Sequence, residues 1–144
     1  MARVAEIIER KGEFVVCVPA DSTVQDALEK MVKFQVGSVL VMADEQIVGI
    51  FTERDYLRRV ALPGLPPETP LNRVWSHELV IFSPQDTVLE CMAVMTQRRI
   101  RHVPVLDGER LCGLVSIGDL VQHASAEQQV EIQYLREYIS GGTY

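Results

Sequence analysis

Two heptapeptides 64 residues apart hold the side chains best suited to chemistry: Gly49-Ile50-Phe51-Thr52-Glu53-Arg54-Asp55 and Gly113-Leu114-Val115-Ser116-Ile117-Gly118-Asp119. Each places a hydroxyl three residues before an aspartate, behind two apolar residues. Thr52-x-x-Asp55 and Ser116-x-x-Asp119 read first as capping boxes, in which two side chains satisfy unpaired amides of a helix's first turn. The usual partner at the third helical position is Glu or Gln, whose longer arm reaches back to the cap more easily, yet both copies use Asp. A helix N-terminus at the carboxyl end of a strand also suits a nucleotide. Amides and helix dipole receive phosphate there, and an aspartate accepts both hydrogens of a ribose diol. The residues by themselves leave cap and ligand site both open.

Other chemistry is poorly supplied. Cys17, Cys91 and Cys112 have no C-x-x-C spacing, and Cys91 and Cys112 match Ala27 and Val48 of the other copy, so all three are expected to pack in cores. His77, His102 and His123 offer no paired metal spacing. No Ser-His-Asp set, Cys-His set or phosphate-cradling glycine loop is present, so neither a catalytic residue nor a metal is expected.

The elements that must hold the two motifs repeat with the same spacing. Thr23-Val24 aligns with Thr87-Val88, Met31 with Met95, Val39 with Val103, and Val41 with Val105. Two tandem copies are too few for a solenoid and are expected to close on each other as a pseudo-twofold pair. In each copy an apolar run (Phe14 to Val18; Leu79 to Phe82) ends at Pro19 or Pro84 and reads as a strand. An amphipathic helix follows, with apolar residues at Val24, Ala27, Leu28, Met31 and Val32, or at Val88, Cys91, Met92 and Met95. Its capping boxes are Thr23-x-x-Asp26 and Thr87-x-x-Glu90. Two β-rich runs joined by short polar turns then predict a hairpin, Ser38 to Met42 with Ile47 to Phe51 and His102 to Leu106 with Leu111 to Val115. A second helix begins near Thr52 or Ser116. The unit is β-α-β-β-α, and the fold class is α+β, with the two units packed sheet to sheet.

The boundaries read from the chain are residues 1–62 for an N-terminal helix and the first repeat, 63–78 for a linker, 79–124 for the second repeat, and 125–144 for a C-terminal helix and tail. Four of the seven prolines (Pro63, Pro66, Pro67, Pro70) stiffen the linker, where Thr69-Pro70 predicts a short helix over 70–75. That helix is the repeat counterpart of one around Val4 to Glu9. The last helix, Ala126 to Ile139, would carry Val130, Tyr134, Leu135, Tyr138 and Ile139 on one side.

A net charge of −6 and a pI near 5.0 argue against a nucleic-acid surface, which needs a basic face. No segment has the roughly 20 apolar residues of a membrane span, and Glu6 stands where a secretory signal would begin its apolar run. The expectation is a cytoplasmic protein with no membrane or nucleic-acid partner.

The tandem unit, the strand Arg101-His102-Val103-Pro104-Val105 and the two G-h-h-[ST]-x-x-D motifs closely resemble the paired cystathionine-β-synthase-type (CBS) domains, the Bateman module. The resemblance runs from Val15 to Ala124 and is greatest to small stand-alone bacterial proteins with one pair, through Thr52-Glu53-Arg54-Asp55-Tyr56 and Arg99-Ile100-Arg101-His102-Val103-Pro104-Val105. It implies a regulatory, non-catalytic module that senses energy or redox state by binding AMP, ADP, ATP or NAD, and less readily S-adenosylmethionine, in clefts between the copies. It places ribose on Asp55 and Asp119, phosphate on Thr52 and Ser116, and adenine against Ile50 and Leu114. The first cleft would comprise Ile50, Thr52, Arg54 and Asp55 with Val80, Ile100, Arg101 and His102. The second would comprise Leu114, Ser116, Gly118 and Asp119 with Val16, Val36, Gly37 and Ser38. On this assignment Arg54 and Arg101 make the first cleft cationic, while the Asp119 cleft lacks a counter-charge. Many relatives have Met-Thr where this chain has Trp75-Ser76.

Two other classes compete: a structural oligomerisation domain, and a nucleotide-converting enzyme using His102 or Asp55 as base. A homodimer is expected through the second helices, which carry Tyr56, Leu57 and Val60 in one copy and Leu120, Val121 and Ala124 in the other. Leu135, Tyr138 and Ile139 of the C-terminal helix are expected to cover part of that patch.

Overall fold

A computed structural model describes residues 1–143, apart from the side chains of residues 130, 131, 134, 135 and 137–143. The fold is α+β and separates into two compact units, Phe14–Val80 and Met1–Glu13 joined to the chain from Ile81 onward.

In the first unit, β1 (Cys17–Pro19) runs parallel to β2 (Ser38–Ala43), which pairs antiparallel with β3 (Gln46–Thr52). Strand β1 is shorter than the apolar run from Phe14. Phe14 is 71% exposed, although the Val16 carbonyl still accepts from the Leu40 amide at 3.0 Å. Helix α2 (Val24–Phe34) opens with the complete Thr23–Asp26 box and buries Val24, Ala27 and Met31. These meet Val18, Val39, Val41 and Phe51 in one core, which also takes in Leu71, Val74 and Trp75. The linker is therefore part of the core. The helix expected over 70–75 is only a 3₁₀ turn, Leu71–Arg73, because Thr69 and Leu71 bond outward: Val24 N donates to Thr69 O at 3.0 Å, and Leu71 N to Ser22 O at 2.9 Å. After β3 the chain makes one turn of α-helix, α3 (Glu53–Asp55), and continues as a π-helix over Tyr56–Ala61.

In the second unit, α4 (Val88–Arg98) precedes the antiparallel pair β4 (His102–Asp107) and β5 (Arg110–Ser116). The strand expected at Leu79 to Phe82 contributes a single parallel bridge, Phe82 to Val105, since Pro84 stops the run two residues later. The Thr87 box is half made: its hydroxyl accepts from Glu90 N at 3.2 Å. Both hairpins carry a register shift at the same repeat position, Val41/Met42 and Val105/Leu106.

Helix α1 (Val4–Lys11) clusters with this second unit. Its apolar face, Val4, Ile7 and Ile8, is buried against β5 and α5, and Val4 N and Val88 N tie the N-terminus to the α4 cap through Asp86 O (2.9 Å) and Ala2 O (3.0 Å). Helix α5 (Ile117–Thr143) is one continuous helix in place of the two expected. No Gly or Pro interrupts it between Asp119 and Ser140. The apolar side expected from Val130, Tyr134, Leu135, Tyr138 and Ile139 lies outside the described side chains. The proposed dimer patch also shrinks, because Val60 and Leu120 enter the cores of their own units (3% and 0% exposed), leaving Leu57 and Val121 in the open.

Candidate functional site

Where β3 ends, Thr52 turns the chain into α3, and its capping box is complete. Thr52 N donates to Asp55 Oδ2 at 3.0 Å, and Asp55 N donates to Thr52 Oγ1 at 3.2 Å. The Thr52 hydroxyl adds a second bond to Asp55 Oδ2 at 3.2 Å. Asp55 Oδ1 stands 3.9 Å from Arg59 Nε, beyond hydrogen-bond reach, and the carboxylate is only 13% exposed. Burial is the largest influence on Asp55 and lifts its pKa above the ordinary 3.8, outweighing the Thr52 amide and Arg59. Arg59 is engaged elsewhere, donating to Trp75 O at 2.9 Å and Val74 O at 3.3 Å.

Within its own unit, the motif is flanked by its own repeat and the linker. Glu53 N donates to Gly37 O at 3.0 Å, and Ser38 pairs with Thr52 in the β2–β3 ladder. Ile50 is buried, with its amide and carbonyl bonded to Ser76 at 3.0 and 2.8 Å. Trp75 packs against Gly49, where an added Cβ would come within 2.6 Å of the indole Cδ1, and its Nε1 donates to His77 Nδ1 at 2.9 Å. The Trp75-Ser76 departure thus forms a closed edge beside Ile50, and only glycine admits the indole so near the strand.

The second motif repeats the box: Ser116 N donates to Asp119 Oδ2 at 2.8 Å, and Asp119 N donates to Ser116 Oγ at 3.1 Å. Ile117 N donates to Arg101 O at 2.8 Å, and His102 pairs with Ser116. The expectation that this motif lacks a counter-charge is overturned. Lys11 Nζ, at the end of α1, lies 2.6 Å from Asp119 Oδ2 and donates to Leu114 O at 2.9 Å. Burial raises the Asp119 pKa, but the Lys11 ammonium and the Ser116 amide outweigh it and hold the carboxyl below its usual range.

Of the residues assigned to the first cleft, Ile50, Thr52, Arg54, Asp55 and Val80 lie in the first unit, and Ile100, Arg101 and His102 in the second. Of those assigned to the second, Val16, Val36, Gly37 and Ser38 lie in the first unit, and Leu114, Ser116, Gly118 and Asp119 in the second. What each unit brings together is a motif with the strand start of its own repeat: Thr52 and Asp55 with Gly37 and Ser38, Ser116 and Asp119 with Arg101 and His102. The three cysteines are buried or half-buried, and burial lifts the Cys91 thiol to about 12, in keeping with packing rather than reactivity.

Sequence reasoning missed Lys11 and Arg59. Arg59 had a signal, its i+4 spacing from Asp55. Lys11 had none, because its partner is more than a hundred residues away. Also missed was a cluster in which His123 Nε2 meets Glu6 Oε2 at 3.2 Å and Glu127 Oε1 at 3.5 Å, with the ligand atoms of all three within 4.8 Å of one another. As a metal centre it fits poorly. A metal on Nε2 would put the ring proton on Nδ1, which is buried without a partner among the described residues, whereas metal-bound histidines normally donate that proton. Set between Glu6 and Glu127, His123 Nε2 instead pins α1 to α5.

The CBS domain profile matches residues 4–62 and 76–126. The chain belongs to the CBS domain family. A solved protein with CBS domains from Burkholderia ambifaria is 38% identical and superposes with a TM-score of 0.84 over 88% of this chain and 96% of that one. The CBS domain-containing protein CBSX3, mitochondrial, of Arabidopsis thaliana is 37% identical over 137 residues, 91% of this chain but 66% of that protein, so the chain spans just under two thirds of that relative's length. The CBS domain protein PAE2072 from Pyrobaculum aerophilum, solved in complex with AMP, is 26% identical with a TM-score of 0.72 over 81% of this chain and 88% of that one. The profile counts α1 with the first repeat because they are contiguous in sequence; in the fold, this CBS chain packs α1 into the second unit.

Proposed function

We propose that this CBS chain is a regulatory module that senses energy or redox state by binding an adenosine-containing nucleotide, AMP, ADP, ATP or NAD, with Asp55 holding the ribose. The observation that carries the reading is the state of the Asp55 carboxylate. It is largely buried, its one oxygen is used by the cap, and its other oxygen faces Arg59 only at 3.9 Å, so burial dominates its titration. A vicinal diol supplies two O–H donors to such a group and relieves the desolvation that a cap alone leaves in place. The AMP complex of the Pyrobaculum relative supports the ligand class. In both motifs the hydroxyl and the carboxylate are committed to capping the helix, so the module is read as a sensor rather than a catalyst.

Titration calorimetry with AMP, ADP, ATP and NAD tests this. Asp55→Ala should weaken binding by at least tenfold, the scale of a lost hydrogen bond to a charged group, about 1.5–3 kcal/mol. Asp26→Ala removes an equivalent capping carboxylate on α2 and serves as the control, because it should cost similar stability and leave affinity unchanged. Equal affinity in wild type and Asp55→Ala, with both folded, would overturn the assignment.

A further inference from the structure

The two motifs are built alike but are not equally available. Lys11 is the last residue of α1 and the repeat counterpart of Trp75, the two positions lying 64 residues apart. Its position is fixed by packing. Ile8 sits over Gly113, where an added Cβ would come within 2.7 Å of the Ile8 Cδ1, and Gly12 ends the helix at a φ of 96° with its amide on Ile8 O at 2.7 Å. Glu13 pairs with Arg110 at 3.0 Å, and Glu6 meets His123, so the helix is held at both ends against β5 and α5. From there the Lys11 ammonium reaches both the Asp119 carboxylate and the carbonyl of Leu114. At the first motif the counterpart position presents an indole packed on Gly49, which supplies no cation to Asp55.

We propose that Lys11 is a resident occupant of the second motif: its ammonium, shared between the capped Asp119 Oδ2 and the Leu114 carbonyl, neutralises the carboxylate and stands where a ligand diol would approach, so the chain binds its nucleotide at Asp55 and holds Asp119 closed. This rests on the reading of Asp55 as a ribose site. Removing the ammonium leaves Asp119 a half-buried carboxylate held by its cap, with no cation in hydrogen-bond contact, as at Asp55. Affinity at Asp119 should then rise severalfold, up to about fivefold, the scale of a solvent-screened ion pair.

Equilibrium dialysis with labelled AMP, at a concentration that just fills the first binding event, reads the stoichiometry directly. Wild type should hold one AMP per chain, lost in Asp55→Ala and kept in Asp119→Ala. Lys11→Met, which keeps the side chain's length and apolar stem, should hold two, and Lys11→Met combined with Asp119→Ala should return to one. Lys11→Gln provides a second variant of the same exposed position, and melting curves confirm folding of each. A Lys11→Met protein that still holds one AMP, or a wild type whose second AMP disappears in Asp119→Ala, overturns the closure while leaving Asp55 as the ribose site. Weaker AMP binding in Lys11→Met would instead make Lys11 a ligand-binding group and likewise overturn it. Absence of AMP, ADP, ATP and NAD binding in every variant removes the adenosine reading, and the closure with it.

Discussion

Asp55 and Asp119 are the same residue type in the same box, and their surroundings drive their ionisation in opposite directions. Asp55 has its pKa raised by burial, so its charged form is the disfavoured one: what it contributes to folding is greatest in acid and is lost as pH rises through its folded value. A diol needs that charged form. AMP affinity should therefore fall on acidification, beginning at a pH above the ordinary aspartate range, and calorimetry between neutral and mildly acidic pH checks it; a flat profile would mean that Asp55 takes no part. Asp119 is lowered, so its contribution is present at neutral pH and lost only as pH falls through its folded value. At the same scale, Gly49 and Gly113 both lie under a packed side chain, with unequal tolerance. Gly49→Ala drives a Cβ against a rigid indole at 2.6 Å and the Ser76 carbonyl at 3.0 Å, while Gly113→Ala meets the movable end of Ile8 at 2.7 Å. Overpacking costs about 1–3 kcal/mol, and chemical denaturation should show Gly49→Ala at or beyond the top of that range and Gly113→Ala near the bottom.

The helix ends and turns show where local preference yields to the repeat. Helices α2 and α4 both end on a non-glycine residue in the left-handed region, Gln35 (φ 54°) and Arg99 (φ 56°), and the β2–β3 turn places Asp44 and Glu45 at φ of 50° and 63°. Two consecutive positive φ values define a turn that favours Asp-Gly, and the turn already has its Asp. Glu45→Gly should stabilise the protein by about 0.5–1 kcal/mol, read from urea midpoints at constant slope. Gly108 already occupies the left-handed position in the other hairpin, so Gly108→Ala should cost about the same amount. The π-helix of Tyr56–Ala61 has its own function in the element. It ends with Leu62 N on Leu57 O at 3.0 Å, and within it Arg59 holds the carbonyls of Val74 and Trp75, fixing the linker edge beside Ile50.

As a whole, the molecule exchanges its N-terminal segment between repeats. Val4, Ile7 and Ile8 are buried in the second unit, each contributing about 1.5–3 kcal/mol by removal from water. A chain beginning at Phe14 should accordingly lose amide protection in β4 and β5, while α2, β2 and β3 retain theirs; hydrogen exchange with mass spectrometry resolves the two regions. Uniform loss in both would show that the units do not open separately. The homodimer expected through the second helices now rests on Leu57 and Val121, 62% and 45% exposed. Light scattering at low micromolar concentration should give about twice the chain mass of 16.2 kDa, and Leu57→Glu should return it to the single-chain value.

The repeat spacing, both hairpins, α2 and α4 and the Thr-x-x-Asp and Ser-x-x-Asp boxes were legible in the residues, because each depends on hydrogen bonds and apolar periodicity within a few positions. So was the family resemblance, which is carried by contiguous motifs. The partners that distinguish the motifs were not. Lys11 meets Asp119, and Glu6 meets His123, across more than a hundred residues, through the packing of an amphipathic helix whose apolar face specifies that it must be buried but not against which sheet. The fate of the linker was likewise decided by tertiary bonds from Ser22 and Thr69, which turned an expected helix into core, and the continuity of α5 by the absence of any residue able to stop it. Local chemistry set the two boxes; the placement of α1 decided that only Asp119 meets a lysine.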